Sequence, residues 1–270
     1  MGEGRFGHEA APPSTADATS VPLAKEPPVP VTRRASTDKP VRLLTCSDTH
    51  DRLPPDLAEA GATAWLHAGD VYEAPDLVEA IPGLSDNDHP DVDAWARRRS
   101  VPVYTVKGNH DYADPFGFFT AQRDITGRVV RLADGLLLAG VGWAGVRSVE
   151  PPLDGELAEV CAEVGGAVDL ARREGDRVVL LTHYPPRSPG LFPDDQWGRQ
   201  SDFCFPCVTE LVKAIEPVLV IQGHIHRWAG MTATLQMGER STLVVSPGPA
   251  GMVIELRGRQ ASVVATGAAR

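Results

Sequence analysis

Five short stretches of this 270-residue chain set ligand-type side chains in close succession: Asp48-Thr49-His50, Gly69-Asp70, Gly108-Asn109-His110-Asp111, Thr182-His183 and Gly223-His224-Ile225-His226. Of eight histidines, five fall within them, which a random scatter would rarely produce. Asp48/His50 and His224/His226 are i, i+2 pairs, whose side chains point to one side of an extended segment. Glycine ahead of three of the groups permits a tight turn there. Carboxylates, an amide and imidazoles, without thiolate, make a mixed nitrogen and oxygen donor set suited to Zn, Mn or Fe rather than Ca or Mg alone. Such a set exceeds what one ion needs and favours two. Two neighbouring ions clamp a phosphate for attack at phosphorus. Two aspartates offset only part of their charge, so the centre would draw a phosphate anion even on an acidic protein.

Each group follows a run that reads as a strand. Val41–Cys46, Ala64–Ala68, Val101–Val106, Val178–Leu181 and Pro217–Ile221 are short, apolar and rich in β-branched residues. In open α/β sheets the loops at the carboxyl ends of strands build the binding crevice, so the five ends can converge. Helices are expected at Leu53–Ala60, with Pro54 and Pro55 in the tolerant first turn, and at 75–81, 91–99 and Cys207–Ile215. Residues 116–126 also read as helical. The clearest helix is Leu153–Glu174, where Leu157, Val160, Cys161, Val164, Val168 and Ala171 recur at helical spacing. Arg128–Leu132 and Leu136–Trp143 read as a hairpin turning at Ala133-Asp134-Gly135. Four strands close the chain, at 229–236, 241–246, 251–257 and 261–266. The fold class is therefore α/β, with a second sheet completing the core.

Net charge is −10. Residues 1–40 carry five basic and five acidic groups, so the whole negative excess lies in the body. That argues against an extended nucleic acid as partner. Residues 1–38, rich in Pro, Ala, Ser and Thr, lack the apolar content to offset ordering and read as a disordered tail ahead of a domain at 39–270. Four scattered cysteines, no apolar run of about 18 residues and no signal-peptide h-region point to a reducing, cytoplasmic setting and no membrane partner.

The five groups, in this order, resemble the signature of the calcineurin-like metallophosphoesterases, and they span residues 48–226. The resemblance implies a β-sandwich of two mixed sheets flanked by helices. It implies that Asp48, His50, Asp70 and His226 hold one metal ion, that Asp70 bridges to a second, and that Asn109, His183 and His224 complete that second site. Water or hydroxide between two ions of Mn, Fe or Zn would be the nucleophile, and His110 would protonate or stabilise the leaving oxygen. A carboxylate three residues beyond the bridging aspartate commonly orients that histidine; here the position is Glu73. Asp111 matches the acidic residue that follows the histidine. Asp51 stands where the family often has Gly, and Ser246-Pro247-Gly248 where many small members have Asn-Pro-Gly. Leu66–Asp70, Thr182–Pro186 and Gly223–His226 also resemble the small class III cyclic-nucleotide phosphodiesterases and the animal metallophosphoesterase-domain proteins.

The expected function is hydrolysis of a phosphodiester, in a small phosphorylated substrate such as a nucleotide, by metal-bound hydroxide. The alternatives are a phosphomonoesterase or nucleotide pyrophosphatase on the same core, and a non-enzymatic protein-binding scaffold. His67, inside a strand, reads as a core histidine. Cys204 and Cys207 read as packing, as do Cys46 and Cys161. Trp143, Arg147, Phe192 and Trp197 divide evenly between substrate wall and ordinary core or surface.

Overall fold

Hydrophobic alternation sets the layers. In the strand Arg177–Thr182, Val178 and Leu180 face one way and Val179 and Leu181 the other, and all four are fully buried. A strand buried on both faces must lie between two apolar layers. The computed structural model describes residues 40–50, 52–71, 92–111, 121–143, 152, 154–188, 191–192 and 203–267. It contains twelve described strands. β1 (Val41–Cys46), β2 (Ala64–His67), β3 (Val103–Thr105), β4 (Arg123–Asp124), β11 (Met252–Arg257) and β12 (Gln260–Thr266) form one sheet, ordered β12-β11-β1-β2-β3-β4. β5 (Val129–Ala133), β6 (Leu136–Val141), β7 (Arg177–Thr182), β8 (Leu219–Ile221), β9 (Met231–Met237) and β10 (Arg240–Ser246) form the other, ordered β5-β6-β7-β8-β10-β9.

Between the sheets lies a core of Leu43, Leu66, Leu138, Val179, Leu181, Ile221 and Ile254. Helices α2 (Asp154–Ala171) and α3 (Pro206–Ile215) cover the outer face of the second sheet. α2 presents Leu157, Cys161, Val164 and Val168, and α3 presents Val208, Leu211, Val212 and Ile215, both at helical spacing. Pro206 occupies the first turn of α3, where its missing N–H costs nothing. Helix α1 (Val92–Arg97) sets Val92 and Trp95 against Leu44 and Trp65 on the outer face of the first sheet. The architecture is the expected sandwich of two mixed sheets flanked by helices.

β1 to β4 run parallel, as do β6, β7, β8 and β10. This shared direction brings the ends of β1, β2, β3, β7 and β8 to a common edge.

Three expectations change. Residues 53–59 are not helical: each residue before a proline is pushed to extended conformation, and Pro54-Pro55 does this twice in succession. Residues 121–126 hold a short strand, β4, drawn into the sheet edge by pairing with Tyr104 and Thr105. The chain at 229–236 starts as a turn, with β9 beginning at Met231. The expected tail at 1–38, helix at 75–81 and Glu73 lie outside the described residues. No described helix is long and apolar enough to cross a membrane.

Candidate metal centre

The chain leaves three of these strand ends, those of β1, β2 and β8, in an unusual conformation. Among the described residues, five non-glycines have positive φ: Asp48 (53°), His50 (43°), Asp70 (53°), His224 (70°) and Glu216 (46°). Glu216 caps α3; the other four are all among the expected ligands. Left-handed backbone at a non-glycine persists only where surrounding contacts hold it, and such sites cluster where function demands them. Here the contacts are visible. Asp48 N–H donates to Gly69 O (3.0 Å) and His50 N–H to Asp70 O (3.1 Å). His224 N–H donates to the Asp48 carboxylate (2.8 Å).

The seven expected ligands fall into two adjoining clusters. In the first, Asp48, His50, Asp70 and His226 each offer an atom within 4.8 Å of the others. His50 Nε2 and His226 Nε2 approach to 2.9 Å. In the second, Asn109 Oδ1 stands 3.2 Å from His183 Nε2 and 3.0 Å from His224 Nδ1. Asp70 belongs to both: its Oδ2 lies 3.8 Å from His50 Nε2 and 3.3 Å from His183 Nε2. Its Oδ1 accepts the His110 N–H at 2.9 Å, which keeps Oδ2 turned inward.

The donor chemistry fits cations. His183 Nδ1 donates to the Ala68 carbonyl (2.8 Å), because a carbonyl only accepts. Its Nε2 is therefore the nitrogen presented to Asp70 and Asn109, as in histidine ligands whose second nitrogen is anchored. The His50 and His226 Nε2 atoms at 2.9 Å are held by a hydrogen bond when one carries its proton there, and with both lone pairs bare they converge as a cation's ligands would. Burial pushes the Asp48 carboxyl up, an effect only partly countered by His183. Burial acts the same way on Asp70, yet His183 and the His110 N–H outweigh it and hold that carboxyl well below its usual range. His183 shows the reverse balance: burial lowers it, but Asp70 and then Asp48 raise it to about 9. His224 is held at about 3, by burial and by its neighbour His183.

No room remains for side chains at the glycines. A Cβ on Gly108 would fall 2.2 Å from Asp70 Oδ1 and 2.7 Å from the His183 ring, and one on Gly223 would fall 2.8 Å from Ala68 O.

His110 stands beside the first cluster, its half-buried ring edge-on to His50 at 4.7 Å. Asp111 turns inward instead. It accepts the N–H of Asp70 and Gly108 on Oδ2 (2.8 and 2.9 Å) and that of Val71 on Oδ1 (2.8 Å). Sequence reading gave it a match but no task. Tyr184 was missed as well: its ring packs on His183 and His224 (4.9 and 5.2 Å), and its hydroxyl donates to Trp143 O. Its position next to His183 was the one available signal. Phe192 stacks on Trp228 at 4.7 Å and is buried, so it belongs to the core and not to a substrate wall. Arg147 and Trp197 lie outside the described residues. Cys46, Cys161 and Cys204 are buried and Cys207 is half-buried.

A model of the calcineurin-like phosphoesterase family matches residues 41–228. The fold is similar to the crystal structure of TT1561 of Thermus thermophilus, at 18% identity and a TM-score of 0.55, over 83% of this chain and 98% of that one. It is also similar to a 5'-nucleotidase precursor from Thermus thermophilus, at 15% identity and a TM-score of 0.50, over 84% of this chain and 53% of that one. No curated protein sequence matches the chain significantly.

Proposed function

The chain belongs to the calcineurin-like phosphoesterase family, and from that premise we propose that residues 39–270 form a dinuclear metal-dependent phosphoesterase acting on a phosphodiester. Asp48, His50, Asp70 and His226 would hold one ion, and Asn109, His183 and His224, with Asp70 shared, the other. The single observation that carries this reading is Asp70 Oδ2, which faces both clusters, at 3.8 Å from His50 Nε2 and 3.3 Å from His183 Nε2. Bound there, ions of the Mn, Fe or Zn class supply the positive charge that draws a phosphate and the acidity that turns water into a nucleophile.

The chain's own residues do the rest. Asp48 and Asp70, both buried, leave the site short of negative charge for two divalent ions, which favours an anionic substrate. His110, at the margin of the first cluster, donates a proton to the leaving oxygen; imidazole suits this because its proton exchanges near neutral pH. An alkoxide leaving from a diester needs such a donor. The substrate class is a small phosphorylated molecule such as a nucleotide.

The test is hydrolysis of an aryl phosphodiester and of the matching monoester by protein loaded with Mn, Fe or Zn. Metal-dependent turnover that is faster on the diester is expected. Faster monoester turnover would reassign the substrate class. An inert protein with both ions bound would leave a binding scaffold.

A further inference from the structure

His67, the last residue of β2, is 2% exposed and its carbonyl accepts the Val106 N–H at 3.2 Å. Its Nε2 lies 3.0 Å from Thr49 Oγ1, and Thr49 Oγ1 lies 3.2 Å from the Val71 carbonyl. The directions of these bonds follow from the groups. A carbonyl only accepts and a hydroxyl has one proton, so Thr49 donates to Val71 O and receives the Nε2–H of His67. His67 Nδ1 is then left as a bare lone pair, buried and without a hydrogen-bond partner among the described residues. A phenylalanine or leucine would fill the same space without an orphaned nitrogen, so packing alone does not account for an imidazole here.

Thr49 is the middle of the tripeptide Asp48-Thr49-His50, whose outer members both adopt left-handed backbone. The tripeptide is stitched to residues 69–71 at three successive points: Asp48 N–H to Gly69 O, His50 N–H to Asp70 O, and Thr49 hydroxyl to Val71 O. The hydroxyl is the only side-chain member of the three, and His67 decides which way it points. We propose that His67 is a positioning residue for the first cluster: by holding Thr49 on Val71, it sets the placement of Asp48 and His50 relative to Asp70. The inference rests on the dinuclear reading above.

The experiment uses the full chain, stripped of metal, as wild type, His67→Phe, His67→Gln, Thr49→Val and the Phe/Val double variant. Mn(II) is titrated by calorimetry, and the paramagnetic resonance spectrum distinguishes an isolated ion from a coupled pair. Wild type should take up two ions and give the coupled spectrum. His67→Phe and Thr49→Val should each bind the ion of the first cluster about 10–100-fold more weakly and show an isolated ion at two equivalents. His67→Gln, whose amide N–H reaches where Nε2–H was, should recover most of the affinity. The double variant should be no worse than the weaker single one, because both remove one link. Wild-type affinity in His67→Phe, equal damage from Gln and Phe, or additive losses would each overturn the proposal. If His67→Phe does not fold, Thr49→Val and His67→Gln decide alone: loss in the first with retention in the second supports the link, and any other pattern refutes it. A wild type that binds no Mn, Fe or Zn sinks the dinuclear reading itself, an outcome separate from these.

Discussion

The Asp111 carboxylate holds the backbone of Asp70: Oδ2 accepts the Asp70 N–H at 2.8 Å while also accepting that of Gly108, and Oδ1 takes the next N–H, from Val71. One buried side chain thus ties the turn after β3 to the turn after β2, and the residue so fixed is the carboxylate shared by both clusters.

Asp111→Asn keeps the shape but only one acceptor oxygen, so one of the three N–H groups is orphaned in the interior. Orphaning a buried donor costs about 1–3 kcal/mol. Urea denaturation of the metal-free variant should show a loss of that size, with weaker metal uptake at both clusters.

Gly108→Ala inserts a methyl where Asp70 Oδ1 and the His183 ring already stand. Both neighbours are proposed ligands and both are buried, so neither can yield without moving the second cluster. The variant should lose the second ion while retaining more of the first, as read by elemental analysis. Asn109→Ala and His183→Ala should lower the same occupancy.

His183 should make metal uptake and stability depend on pH. Its value of about 9 in the folded, metal-free chain lies above its ordinary 6.5, so the proton stabilises the fold. That contribution is complete below 6.5 and is lost as pH rises through 9. Denaturation of the metal-free protein across that interval should show declining stability. If His183 is a ligand as proposed, a cation has to displace the same proton, so affinity at the second cluster should rise about tenfold per pH unit up to that value and then level off. Titrations in buffers of different ionisation enthalpy should record one proton released.

His110→Ala should retain both ions and lose turnover according to the leaving group. General acid catalysis contributes about 10²–10⁴-fold, so an alkyl diester should suffer by that factor and an aryl diester far less. Equal alkyl-diester rates in variant and wild type would remove His110 from its assigned role.

Much of this centre was legible in the residues because its signals are local. The residue types of Asp48/His50 and His224/His226 marked them, and the apolar runs before them marked the strands, but left-handed backbone at Asp48, His50 and His224, rather than the extended path expected from the i, i+2 spacing, is what aims them. The two-residue turn Asp134-Gly135 and the periodicity of α2 are equally local. What escaped depends on residues far apart in the chain. Asp111 meets Asp70 and Val71 across 40 or so positions, and no pattern around Asp111 foretells three backbone donors. His67 read as a core residue because only its partner, Thr49, reveals its polar task. Leu53–Ala60 misled through composition: prolines acceptable at a helix start instead fix an extended path when two occur in a row.

The neighbour of β1 on its far side is β11, with Thr45 donating to Met252 O across 207 residues. The strand leading into Asp48 and His50 is thus flanked by a segment that leaves the ribosome only after every proposed ligand has been translated. Sequence separation of this order slows folding and exposes unfinished sheet edges meanwhile. Assembly of the candidate centre should therefore follow synthesis of β11, and a stop codon between His226 and Met252 should disrupt it while sparing all seven proposed ligands.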